Sequence, residues 1–156
     1  MQAEEYIAYL LSSPRSSSCV QAGQVLQVSH DEVNRFLLSG AYKGEDLFKA
    51  VASSIELTGG TLTVDDTVLD KPYTELSSSE LVGYFWSGKH HKSVKGINLI
   101  VLVYTTGSGY SVPVNFRVYR SSEGKTKNEY FQAMLKQVWQ WDSGLNGLRQ
   151  TVGIVH

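Results

Sequence analysis

LTVDDTVLDKP, residues 62–72, is the stretch on which the fold turns. Thr61, Leu62, Thr63 and Val64 alternate polar and apolar, the period of a half-buried strand. Aspartate is among the poorest strand residues, yet Asp65, Asp66 and Asp70 follow at once. Two readings stay open: the acids stop the strand and cap the next turn, or the strand tip presents a carboxylate to something. By the two-residue period Asp66 continues the face of Leu62 and Val64, and Asp65 the threonine face. Asp66 is therefore expected to be the less solvated of the two and the more in need of a cation. A hard ion such as Mg²⁺ takes oxygen ligands and is held by one or two carboxylates beside a phosphate.

Upstream of the glycine pair at 59–60 the pattern is helical. Residues 3–11 place Tyr6, Ile7, Leu10 and Leu11 at helical spacing, and SSPRSSS, residues 12–18, interrupts them. A second helix is expected over 19–26. In QVSHDEVNRFLLSG, residues 27–40, Ser29 and Glu32 form a capping box, Val33, Phe36 and Leu37 an inward stripe, and Gly40 a stop. A fourth helix, from 45 to 55, sets Leu47, Val51 and Ile55 on one side. Two short helices about a tight turn fit a helix-turn-helix whose second helix, 31–38, offers Asn34 and Arg35 outward. A plain helical bundle competes with it, because up to residue 58 four Lys/Arg face seven Asp/Glu.

Downstream the period is that of strands. Residues 97–104 are apolar apart from Asn98, so this second strand is expected inside the sheet with both faces covered. TTGSG, residues 105–109, makes a hairpin turn into a third strand, 110–120, with Val112, Val114, Phe116 and Val118 inward. Pro113 cannot donate to a ladder, which assigns that strand to an edge. Thr126 and Glu129 form a capping box for a last helix, whose stripe is Phe131, Met134, Leu135 and Val138, continued by Trp139 or Trp141. Between the first two strands lie about thirty residues without regular pattern, a length that marks a functional or disordered loop. The expected class is α/β (α+β), with a helical region over 1–58 and a sheet region over 59–156.

Composition bounds the rest. With 42% apolar and 19% charged residues the chain reads as globular, and no apolar run approaches the roughly 20 residues of a membrane span. Glu4 and Glu5 stand where a signal peptide carries positive charge, and the single Cys19 fits a reducing compartment, so a cytoplasmic protein without membrane partners is expected. No acid occurs between Glu80 and Glu123, a stretch containing Lys89, His90, His91, Lys92, Lys95, Arg117 and Arg120. Such a stretch can neutralise phosphates, or be an ordinary solvated surface.

Three sites are excluded by spacing. EGKT at 123–126 lacks the glycine that a phosphate loop requires five places before Gly124, where Tyr119 stands. His90 and His91 are neighbours that point apart on an extended chain and have no further His or Cys at ligand spacing. An aspartyl-phosphate site needs a second Asp two places after the first and a Thr two beyond, whereas Thr67 and Val68 follow the acids.

VDDTVLDKP, GYFWSGKHHKSVKGINLI, SVPVNFRVY and EGKTKNEYF, in that order, resemble the start of the catalytic domain of bacterial insertion-sequence transposases of the Asp-Asp-Glu class. LLSSP and VSHDEVNRFL are similar to the helical N-terminal region of the same group, and the resemblance runs to about Trp141. It implies a ribonuclease-H-like mixed sheet with the first strand central and the third at an edge. It also implies a catalytic, metal-holding Asp at the end of strand one followed by Thr. Asp66 matches that position, with Asp65 as the second claimant. The implied chemistry is DNA cleavage and strand transfer with two Mg²⁺ ions, acting as Lewis acids and templates for in-line displacement. Lys89, His90, His91, Lys92 and Lys95 are then expected on the DNA backbone, in a nucleoid-associated protein.

The class also requires a second Asp and a Glu, and WDSGLNGLRQTVGIVH, residues 141–156, offers no match. The tail reads as a change of frame or an early stop, so the chain is expected to be a truncated transposase inactive alone. The alternative is a non-catalytic DNA-binding fragment that modulates the full-length transposase; a relic without function is a third reading.

Overall fold

The computed structural model describes residues 1–13, 18–40, 42–54, 57 and 59–142. Ile55 and the tail at 143–156 lie outside the described residues. The chain divides between Tyr42 and Lys43 into two compact units, and not at 58/59.

The first unit holds α1 (Ala3–Ser12), α2 (Cys19–Leu26) and α3 (His30–Ser39). Ser18 Oγ accepts from Gln21 N at 3.2 Å and Ser29 Oγ from Glu32 N at 3.1 Å, so each of the last two helices opens on a side-chain cap. Glu32 does not complete the expected reciprocal box; its carboxylate accepts from the N-terminal amine of Met1 at 2.9 Å. A three-residue turn joins α2 to α3, with Gln27 left-handed at φ 55. Gly23 lets that turn close: a Cβ there would sit 2.7 Å from the Val28 carbonyl oxygen. The core is Tyr9, Ala22 and Val33, flanked by Tyr6, Leu26 and Val28. Ile7, Leu10, Leu11 and Leu37, expected inside, are exposed. Three short helices enclose about one side chain each, too few to cover a full stripe.

The second unit begins with α4 (Gly44–Ala52), which belongs with the sheet because Phe48 enters the sheet's core. Phe48, and not Leu47, is its buried anchor. The strands are β1 (Thr61–Asp70), β2 (Gly83–Ser87), β3 (Lys92–Thr105) and β4 (Ser111–Val118), followed by α5 (Lys127–Asp142). The α/β expectation holds, and every strand pair is antiparallel. β3 lies in the middle, with β1 along one edge and β2 and β4 in succession along the other. Pro113 lies in β4, which pairs with β3 alone among the described residues, as its missing N–H requires. β1 likewise has one partner among the described residues; the resemblance implied a central place for it.

Two further differences bear on the site. β1 does not stop at the acids but runs on to Asp70, placing Asp65 and Asp66 in mid-strand. The supposed loop is largely ordered structure: the end of β1, a 3₁₀ turn at Leu76–Ser78, β2 and the start of β3. GYFWS is too short to show a period, so the hairpin was not legible as one.

Residues directly paired across antiparallel strands share a face. Leu62, Tyr104 and Val112 form one such row, Val64, Leu102 and Asn115 the next, and Asp66, Ile100 and Arg117 a third. This face packs against Phe48 of α4 and against Tyr130, Phe131, Met134, Leu135 and Val138 of α5. Trp141, not Trp139, continues the stripe, its ring 5.7 Å from that of Phe48. A bulge between Leu102 and Val103 leaves Val114 as the extra residue of β4 and reverses the phase beyond it. Asn115 thus turns onto the helix side, where Nδ2 donates to Met134 O and Gln137 Oε1, each at 3.3 Å. Phe116 and Val118, expected inward with Val112, point to the other face. There Ile97, Leu99, Val101 and Val103 are only half-buried, so β3 is closed on one face and not on both.

Candidate functional site

Asp66 stands on the helix-facing side of β1, and α5 arrives beside it. The predicted cap of α5 is formed in full: Thr126 N donates to Glu129 Oε2 at 2.7 Å, and Glu129 N to Thr126 Oγ1 at 3.3 Å. That cap fixes the first turn and with it Lys127, whose Nζ lies 2.6 Å from Asp66 Oδ2. The same oxygen accepts from Asn98 Nδ2 at 2.8 Å. Asn98 sits diagonally from Asp66, one row beyond Ile100, within cross-strand reach. Val64, Asp65, Asp66, Ile100, Lys127, Asn128 and Phe131 line a cleft of about 210 Å³ at this point.

Partial burial pushes the Asp66 carboxyl upward; the hydrogen bonds from Lys127 and Asn98 and the ammonium charge together outweigh it, and the net direction is down. Asp66 is therefore held ionised. Asn98 is fully buried and its Oδ1 has no hydrogen-bond partner among the described residues. Held at that depth, its Nδ2 orients the Asp66 carboxylate.

Asp65 lies on the opposite face, and its Oδ1 accepts the N–H of Asp66 at 2.9 Å. It borders the cleft, but among the described residues neither Lys127 nor Asn98 bonds its carboxylate. Asp70, further along β1, receives His90 Nε2 at 2.9 Å. Among the described residues no group of three His, Cys, Asp or Glu side chains is placed to hold a metal ion. A pair of Mg²⁺ ions does not fit this donor set: one carboxylate is present, and an ammonium group already neutralises it.

The basic residues of the hairpin do not share one surface. Lys89, His90 and His91 form the turn between β2 and β3, with His91 left-handed at φ 49. Lys92 pairs with Ser87 on the helix side, whereas Lys95 pairs with Tyr84 on the other. His90 is taken by Asp70. Asn34 and Arg35 are exposed on α3, in the first unit.

Lys127 and Asn98 were not among the residues the sequence singled out for this site. Asn98 had a signal, as the one polar interruption of the apolar run at 97–104. Lys127 had none, because a lysine in a first helical turn reads as solvated. Comparison of the chain with family models, curated proteins and solved structures finds no match.

Proposed function

We propose that this chain belongs to DNA transposition, as the DNA-binding region and opening catalytic-domain strands of a transposase of the Asp-Asp-Glu class, on a ribonuclease-H-like scaffold. The observation that carries the reading is the place of Asp66. It lies on β1, whose partner β3 leads on to β4, and it faces α5, the helix that follows β4, although it stands mid-strand on an edge strand where the class has the end of a central one. The sequence blocks that resemble the class supply its chemistry, DNA cleavage and strand transfer, and the cytoplasmic nucleoid as its place of action. Mg²⁺ is the cofactor that the class implies. The donor set around Asp66, a carboxylate already paired with Lys127, does not fit two Mg²⁺ ions, so no step is routed through them. The α2–α3 pair, with Asn34 and Arg35 outward, would read sequence, and the hairpin lysines would hold phosphates.

A second reading is favoured by one contact. Because Lys127 neutralises Asp66, the chain would bind DNA without cutting it and modulate the full-length transposase. The test is gel retardation and nicking of the DNA that flanks the coding sequence, with Mg²⁺ present. Selective retention without nicking supports the second reading. Mg²⁺-dependent nicking lost in Asp66→Ala supports the enzyme. No retention even at low salt rejects both.

A further inference from the structure

The β2–β3 hairpin carries two large aromatic rings that the sheet does not use. Tyr84 and Trp86 are 66% and 63% exposed and, two residues apart in one strand, project to the same side, away from α4 and α5. Rings at that spacing stand roughly 7 Å apart along the strand. Lys95 is the direct partner of Tyr84, and Lys71, whose N–H donates to Lys95 O at 2.9 Å, stands on the far side of Lys95 in the same row. Neither lysine makes an ion pair among the described residues. The nearby Asp70 is turned to the helix side and occupied by His90. The hairpin itself, 83–96, contains no acid.

Side-by-side rings with cations in the adjoining row, on a hairpin that itself carries no acid, suit a polyanion that also offers flat π faces. Unpaired bases on a phosphate chain have both properties; in a duplex the base faces are already stacked on one another. We propose that this patch binds single-stranded DNA, with Trp86 and Tyr84 stacking on bases and Lys95 and Lys71 lying against phosphates. The proposal rests on the DNA reading above, and it lies on the face of the sheet opposite Asp66.

Fluorescence anisotropy of the whole chain with a labelled oligothymidine strand, and with a duplex of equal length, tests it. Trp86→Ala is expected to weaken strand binding roughly 5- to 100-fold, in line with the loss of one stacked base. Duplex binding should change little, and Trp86→Phe should retain most of the strand affinity. Tyr84→Ala should act in the same direction, and Lys95→Ala should lower the salt slope for the strand by about 0.7. Both rings are exposed, so unchanged far-UV circular dichroism is expected for each variant. Strand affinity unmoved by both aromatic variants overturns the proposal. So does concentration-dependent self-association that Trp86→Ala abolishes, which would make the patch an interface between copies. If the wild type binds duplex but not strand, this proposal fails and the transposition reading stands; if it binds neither, both fail.

Discussion

The question raised by Asp65 and Asp66 in a strand has an answer in the neighbours each finds. On an edge strand, charged side chains discourage pairing with another chain, and Asp65 further occupies the N–H of Asp66. Asp66 gains a lysine and a buried asparagine. Removing the lysine in Lys127→Met should raise the Asp66 pKa, read by NMR titration of its carboxyl carbon; an unmoved value would mean that the 2.6 Å pair does not persist in solution. The stability consequence has a definite sign. The folded carboxyl titrates below its unfolded counterpart, so its contribution is complete above the unfolded pKa and fades as pH falls through the folded one. The advantage of wild type over Lys127→Met in urea unfolding should therefore be largest at neutral pH and shrink in acid. An advantage that grew on acidification would contradict the assignment.

At the scale of elements, what was legible followed the strength of the local signal. The last helix was readable to its cap because Thr126 and Glu129 act within one turn and its stripe repeats without a break. Pro113 placed β4 by a chemical prohibition that no tertiary context can lift. The bulge at Leu102/Val103 was not readable: valines alternate on both sides of it, and only the pairing register shows that Asn115 has taken the inward place. In α4 Leu47, Val51 and Phe48 are all apolar, and only the assembled core of the sheet unit shows that Phe48 is the buried one, with Val51 packed against it. Phe48→Ala should then cost about 3–5 kcal/mol in urea unfolding of the sheet unit, against about 1 kcal/mol for the half-exposed Leu47. Equal losses would place α4 differently on the sheet.

For the molecule as a whole, charge is divided more sharply than the net value of -1 suggests. The first unit, 1–42, carries two Lys/Arg against four Asp/Glu, whereas the acid-free stretch between Glu80 and Glu123 lies entirely in the second. If DNA is the partner, the two units add different terms to its binding. Affinity that comes from phosphate neutralisation appears in the salt slope, which falls by about 0.9 for each duplex phosphate no longer neutralised. Replacing Lys89, Lys92 and Lys95 together by Ala should thus weaken binding to every duplex alike and reduce the slope by roughly 2–3. Asn34→Ala and Arg35→Ala, at the exposed face of α3, should instead narrow the gap between preferred and random sequences, with a change in slope of at most about 1, from the single arginine. The lysines lie on different faces of one hairpin, so a slope change of the full size would require the duplex to bend around its tip, and a change near one would mean that a single side is used. A slope carried wholly by Arg35 would reverse the division and return the helical unit to the role of principal DNA-binding surface.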